Sequence, residues 1–128
     1  MEKAKPFEEY FDDARLGSEK LERMQLTRTL VHKLYPEVQE RVSYAMPGFY
    51  PVGATKATQQ LFLLIANDGW LGMYGTQGLE AGDLKDFEQY GVTVGKGSLR
   101  VPYDMPEDAF GRLLRFVIDF NLARHGVG

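Results

Sequence analysis

Hydrophobic positions along the first third of the chain recur at helical spacing. One stripe is formed by Leu21, Met24, Val31 and Leu34. A helix is therefore predicted to begin at Ser18 and to end before Tyr35, because Pro36 disfavours helical geometry in the residue that precedes it. A shorter amphipathic helix is predicted over Phe7–Arg15. Pro36 is expected to open another short turn of helix that runs through Val42.

After these predicted helices the pattern becomes that of a sheet. Gln59–Ala66 is almost wholly apolar, which is typical of a strand covered on both faces. Asn67–Gly69 predicts a tight hairpin, so Trp70–Tyr74 is expected to return as an antiparallel strand. A further strand is predicted over Ser98–Val101. The segment Met46–Pro51 contains two prolines, and it is therefore predicted to be an edge strand or a structured turn.

Helical signals return in the last third of the chain. Glu80–Tyr90 is predicted to be a helix that ends at Gly91, and the last helix is predicted from Asp104 to Ala123. Helices at both ends with strands between them are typical of a two-layer α+β sandwich. We therefore predict one α+β domain over residues 1–128, in which N- and C-terminal helices pack on an antiparallel sheet.

Composition narrows the classes of chemistry. The chain has 128 residues, a net charge of −3 and no cysteine. The missing cysteines exclude a thiolate nucleophile and thiolate zinc sites. A mildly acidic chain without a dense basic cluster gives no reason to expect a nucleic-acid partner. The longest apolar run, Leu61–Ala66, is too short to cross a bilayer, and the N-terminus lacks the apolar core of a signal peptide, so we expect a cytoplasmic protein with no membrane partner.

Four carboxylates in the first predicted helix form a candidate metal site. Residues four apart lie on one face of a helix, so Glu8 pairs with Asp12 and Glu9 pairs with Asp13. Carboxylate oxygens suit hard cations, so Mg²⁺, Ca²⁺ or iron could bind there. The alternative is a solvated acidic face with no ligand.

An aromatic and methionine-rich group predicts a ligand-binding cavity. Its members, with two basic residues at the rim, are Tyr44, Met46, Phe49, Trp70, Tyr74, Lys96 and Arg100. Aromatic walls with a few polar tips describe many ligand sites, but they equally describe an ordinary core. The same group could also form the seam of a homodimer, and both alternatives remain open.

No catalytic residue is predicted from a motif. Gly91–Ser98 is glycine-rich, but its spacing does not match a phosphate-binding loop and it leads into a strand. The two histidines, His32 and His125, have no partner at metal-ligand spacing. An enzyme would need a site assembled only in three dimensions, for which Tyr44, Lys96 and Arg100 are the candidates.

The middle of the chain resembles the YdhG-like domain-of-unknown-function family. Ser43–Phe49 resembles that family's "SYGMPxF" segment, and Gly72–Tyr74 is similar to its "GFY" strand. Gly95–Pro102 resembles its "SKGTIRFP" segment, and Met105-Pro106 leads into the last helix as "KP" does there. The match runs in order from about Ser43 to Phe116.

The resemblance implies an α+β fold with an antiparallel sheet, and it implies less about activity. One bacillar branch of the family is described as a frataxin-like iron chaperone that holds metal on acidic surface residues. The loops Gly53–Lys56 and Gly75–Glu80 depart from the family pattern, and the acidic residues of the first helix lie outside the matched region. Our leading hypothesis is a non-enzymatic protein that binds a small molecule or a protein partner beside Tyr44–Phe49. An iron chaperone is the second hypothesis.

Overall fold

The computed structural model of the chain describes residues 5–127. It contains two α-helices, α1 (Ser18–Leu34) and α2 (Glu107–Arg124). The six strands are β1 (Gln39–Ser43), β2 (Met46–Tyr50), β3 (Phe62–Ala66), β4 (Trp70–Tyr74), β5 (Thr93–Gly95) and β6 (Ser98–Pro102). Short 3₁₀ helices lie at Phe7–Phe11, Ala14–Leu16, Ala57–Gln59 and Ala81–Tyr90.

The six strands form one antiparallel sheet in the order β1-β2-β3-β4-β6-β5. One face of this sheet and the two α-helices share a continuous core, in which Phe62 and Met73 of the sheet are buried with Val31 of α1 and Phe110 of α2. The predicted α+β fold, with an antiparallel sheet packed by helices from both ends of the chain, is therefore confirmed.

The predicted boundaries hold best where a glycine or proline sets them. α1 ends at Leu34, and the N–H of Tyr35 bonds to the Val31 carbonyl oxygen immediately before Pro36. The hairpin between β3 and β4 turns at the predicted residues. The predicted helix does end at Gly91, and this glycine adopts a left-handed conformation with φ of 86°. The helix is a kinked 3₁₀ helix rather than an α-helix.

Two predictions in the N-terminal half are wrong. The helical turn predicted after Pro36 is the strand β1, because Val38 and Val42 point to one face and Arg41 and Ser43 to the other, which is the alternation of a strand. Phe7–Arg15 is not one helix, since it consists of two short 3₁₀ helices separated by extended backbone at Asp13.

β2 is an interior strand despite its proline. Pro47 pairs with Val42 of β1, but β2 pairs with β3 only at Gly48 and Phe49. Pro47 therefore lies outside the part of β2 that pairs with β3. Because of this, its lack of an N–H removes no hydrogen bond between the two strands. The short edge strand β5 was not predicted; its three residues lie in the glycine-rich segment Gly91–Ser98.

Within residues 5–127, neither α-helix combines the length and the apolar character that crossing a membrane requires.

Candidate functional site

The sheet face turned away from α1 and α2, here called the open face, carries two of the four aromatic residues predicted to bind a ligand, Trp70 and Tyr74. Strand pairing aligns Leu63 with Tyr74 in one row and Ile65 with Gly72 and Arg100 in the next. Because side chains alternate along a strand, these residues share one face. Ile65 is 37% exposed, so this part of the face reaches solvent.

Gly72 allows an aromatic ring to lie flat on the open face. A Cβ atom at this position would stand 2.6 Å from both Cε2 and the hydroxyl oxygen of Tyr74. No side chain fits in that space, so Tyr74 covers the backbone of its own strand. The Tyr74 hydroxyl oxygen lies 3.5 Å from Nδ2 of Asn67.

Two arginines stack on aromatic rings of the same face. The guanidinium of Arg100 lies 4.4 Å from the centre of the Trp70 ring, and that of Arg41 lies 4.4 Å from the centre of the Tyr50 ring. Such contacts combine packing with the attraction between a cation and the π face. Both arginines are therefore already engaged within the chain.

Tyr50 is wholly buried at one end of the open face. Its hydroxyl donates to the Ala57 carbonyl oxygen at 2.9 Å and lies 2.7 Å from Oγ of Ser43. Burial raises the pKa of Tyr50 above its ordinary value. This ring, together with Leu63 and Ala54, forms a small second cluster that fixes the 51–58 loop against the sheet.

The structure brings together four of the seven residues predicted to bind a ligand and separates the rest. Met46 and Tyr74 pack against the second cluster, and Trp70 contacts Arg100. Phe49 has no exposed surface and points to the opposite face, where its ring lies 5.2 Å from that of Phe62. It is a core residue and cannot line a cavity on the open face.

Tyr44 and Lys96 lie at opposite sides of the sheet. Tyr44 is in the turn between β1 and β2, and Lys96 is in the turn between β5 and β6. The nearest strands of these turns, β2 and β6, are three strand spacings apart, or about 14 Å. The structure therefore does not bring these two residues together, and an enzyme site around Tyr44, Lys96 and Arg100 stays a prediction without geometric support.

The turn that carries Tyr44 is left-handed at two successive residues. Tyr44 and Ala45 have φ of 56° and 58°, values at which a β-carbon is strained. Tyr44 is 64% exposed, and the Tyr10 hydroxyl donates to the Ala45 carbonyl oxygen at 3.2 Å. A cavity of about 190 Å³ adjoins the turn and is bounded by Ala45, Tyr10, Met24 and Ile65 among others. Tyr44 itself does not line this cavity.

Arg28 binds the first of the carboxylates predicted to hold metal. Its guanidinium donates to both carboxylate oxygens of Glu8, at 2.7 and 2.8 Å, and to both of Glu40, also at 2.7 and 2.8 Å. The hydrogen bonds from Arg28 hold the pKa of Glu8 below its ordinary value. Burial opposes the ionisation of Glu40, but bonds from Arg28 and His32 outweigh it and lower the pKa of Glu40 as well.

Asp13 is held by two cations of its own segment. Its carboxylate accepts hydrogen bonds from Arg15 at 2.9 Å and from Lys5 at 3.0 Å, and these bonds lower its pKa far below the ordinary range. Across residues 5–127, no three carboxylate or imidazole groups converge as metal ligands would. The helical pairing of residues 8 with 12 and 9 with 13 fails because the segment is not one α-helix. Iron binding through Glu8, Glu9, Asp12 and Asp13 stays a prediction without geometric support.

A larger concave surface lies on the outer side of α2 and was not predicted. This surface, here called the α2 groove, has a volume of about 850 Å³ and runs between α2 and the Ala81–Tyr90 helix. Its apolar floor is formed by Leu34, Phe87, Phe116 and Phe120. The Phe87 and Phe116 rings lie 6.5 Å apart, and Phe116 and Phe120 keep part of their surface exposed. Its charged rim is formed by Asp83, Asp86, Asp108, Arg112, Arg115 and Asp119.

Gly111 lies within α2 at the wall of this groove. A Cβ atom built at this position would meet no atom within 4 Å outside the helix itself. Glycine in a helix interior costs about 1 kcal/mol relative to alanine, and nothing in this chain requires it here. The one sequence signal for the groove was this glycine, which stands inside the otherwise apolar pattern of the last helix.

The fold class defined by this sheet and its two helices is that of the DUF1801, or YdhG-like, proteins. The crystal structure of the DUF1801 family protein YdhG from Bacillus subtilis superposes with a TM-score of 0.67, covering 94% of this chain and 90% of that one. The two sequences are 19% identical, so the likeness establishes the fold alone. The resemblance predicted from the sequence is thus confirmed at the level of the fold.

No protein-family model matches the chain. No curated protein matches it either.

Proposed function

We propose that this chain is a non-enzymatic accessory protein that binds an amphipathic helix of a partner protein in the α2 groove. The observation that carries the proposal is Gly111, a destabilising residue whose missing side chain leaves open space beside an apolar floor. A partner helix packed at this point could approach the backbone of α2 closely, which a larger residue would prevent.

The dimensions of the groove favour a helix over a small molecule. The groove follows α2 from Asp108 to Phe120, which is three helical turns or about 18 Å. Pockets for small molecules enclose most of their ligand, whereas this groove is open along its length. An apolar floor between charged rims is the surface on which amphipathic helices dock.

The lining of the groove supports binding rather than catalysis. The residues that form it are leucine, phenylalanine, glycine, aspartate and arginine, with no hydroxyl, imidazole or amine among them. Both arginines are already paired with aspartates on the same helix. Catalysis by a hydroxyl nucleophile, by histidine or by lysine therefore has no residue to use in this lining.

The test uses a fluorescein-labelled synthetic peptide of 14 residues with leucines at helical positions i, i+3, i+4, i+7 and i+11 and uncharged residues elsewhere. The decisive variant is Gly111→Leu. We expect it to raise the unfolding free energy by about 1 kcal/mol, because leucine favours helix and its Cβ atom would meet no neighbour. The same variant should abolish peptide binding measured by fluorescence anisotropy.

Gly82→Leu is the matched control. Gly82 is also surrounded by open space but does not line the groove, so peptide binding should be unchanged. The proposal is overturned if the native chain binds no such leucine peptide, whatever the charge of its flank, or if Gly111→Leu binds the peptide as well as the native chain does.

A further inference from the structure

The charges around the α2 groove differ between its two walls. On the α2 wall, Asp108 pairs with Arg112 at 3.3 Å and Asp119 pairs with Arg115 at 3.6 Å, each one helical turn apart. These four side chains largely neutralise one another. The α2 wall therefore offers little net charge to a partner.

The opposite wall is negative and uncompensated. Asp83 and Asp86 line it, and in residues 5–127 neither carboxylate has a lysine or arginine within ion-pair distance. The Asp83 carboxylate accepts the backbone N–H of Glu80 at 2.9 Å, which fixes its position at the rim. The four aspartates and two arginines of the rim leave it with a net negative charge.

We infer that the α2 groove selects a partner helix that carries lysine or arginine along the flank facing Asp83 and Asp86. This inference rests on the proposed function and adds to it the charge and the orientation of the partner. A basic flank would be attracted by the carboxylates of Asp83 and Asp86, whereas an acidic flank would be repelled by them. The apolar face of the same helix would lie on the phenylalanine floor.

The experiment compares three versions of the 14-residue leucine peptide, with lysine, glutamine or glutamate at three positions along one flank. We expect the lysine peptide to bind about two- to fivefold more tightly than the glutamine peptide, and the glutamate peptide to bind more weakly than either, since exposed ion pairs contribute modestly. Raising the salt concentration should reduce these differences, because exposed charges are screened.

Asp86→Asn locates the charge that the peptide detects. It should weaken binding of the lysine peptide about two- to fivefold and leave the glutamine peptide unchanged. Glu88→Gln makes the same change in net charge on the same helix, but Glu88 lines a different cavity with Val92. That control should leave both peptides unaffected.

Each outcome decides between the two proposals. Equal affinity of the lysine and glutamine peptides, with binding still lost in Gly111→Leu, overturns the inference about charge and leaves the proposed function standing. Equal weakening by Asp86→Asn and Glu88→Gln also overturns it, because the effect would then come from net charge alone. Failure of every peptide to bind overturns the proposed function itself.

Discussion

Asn121 joins the C-terminal end of α2 to two loops, and its replacement by leucine should be strongly destabilising. Asn121 has no exposed surface, and its Nδ2 donates to the Leu61 carbonyl oxygen at 2.5 Å and to the Gly75 carbonyl oxygen at 3.0 Å. Its Oδ1 has no partner among the described residues, so the contribution of the side chain comes through its two donated bonds. Leucine fills a similar volume but donates neither.

The two acceptors lose unequal amounts. The Gly75 carbonyl oxygen keeps a bond from Nη2 of Arg124 at 3.1 Å, so losing Asn121 costs it about 1 kcal/mol. The Leu61 carbonyl oxygen loses its bond from Nδ2 of Asn121 and stays buried, which costs about 1–3 kcal/mol. Asn121→Leu should therefore lower the unfolding free energy by about 2–4 kcal/mol, or the melting temperature by about 10 °C for a chain of this size.

Urea unfolding followed by circular dichroism measures this loss, with the slope against urea expected to stay constant. Asp119→Leu on the same helix is the control, because it removes only an exposed pair with Arg115 and should cost less than about 1 kcal/mol. If Asn121→Leu stayed within about 0.5 kcal/mol of the native chain, the two carbonyl groups would have other partners and the reasoning would be refuted.

Three further predictions concern the turn of β1 and β2, the Arg28 network and a buried tyrosine. Ala45→Gly should raise the free energy of unfolding, measured in urea, by about 0.5–1 kcal/mol, because glycine accepts φ of 58° without strain. Part of the gain is offset because glycine gives the unfolded chain more conformational freedom. A loss of stability would contradict a left-handed turn. Folding lowers the pKa of Glu40 below 4.5, so the free energy of unfolding should fall as the pH drops below that value. Arg28→Met should reduce this acid dependence in urea titrations from pH 7 to pH 3. An unchanged dependence on pH in this variant would refute the role given to Arg28. Burial raises the pKa of Tyr103 to about 12, so between pH 10 and 12 the unfolded chain loses a proton that the folded chain keeps; stability should fall across this window, and less so in Tyr103→Phe.

The sequence predicted the fold class well because the fold depends on local signals that act alone. The Asn67–Gly69 turn requires glycine-like conformations and therefore fixed the β3–β4 hairpin. Pro36 stops α1 by sterics that do not depend on the rest of the chain. Helices at the two ends with antiparallel strands between them then leave few ways to bury the apolar faces.

Predictions failed where pairing with a distant strand overrides a local rule. Pro47 argued against an interior strand, but β3 pairs only with the part of β2 that follows it. β1 looked helical after Pro36, yet Gln39–Ser43 is held by its register with β2. Neither the extent of a pairing nor its register is visible in the residues of one strand.

The candidate site was harder to predict than the fold, because it depends on which face a residue takes. Phe49 and Tyr50 are neighbours in sequence, but one lies in the helix-covered core and the other on the open face. Glu8 and Asp13 were grouped by charge, whereas the structure uses each to bind a different set of cations. Sequence patterns identify the chemical types available, and the sheet register decides which of them meet.

Gly72, the Tyr44–Ala45 turn and Gly111 are three described places where local structure disfavours the residue present, and among these three Gly111 lacks an internal explanation. Gly72 weakens a strand, but the ring of Tyr74 occupies the space that a side chain would need. Tyr44 and Ala45 are strained, but a two-residue turn between Ser43 and Met46 requires positive φ at both positions. Gly111 has neither justification, since it adopts ordinary helical geometry in open space. A local preference that conflicts with the fold, and that the fold does not need, is best explained by something outside the chain, which is why the proposed function is assigned to the α2 groove.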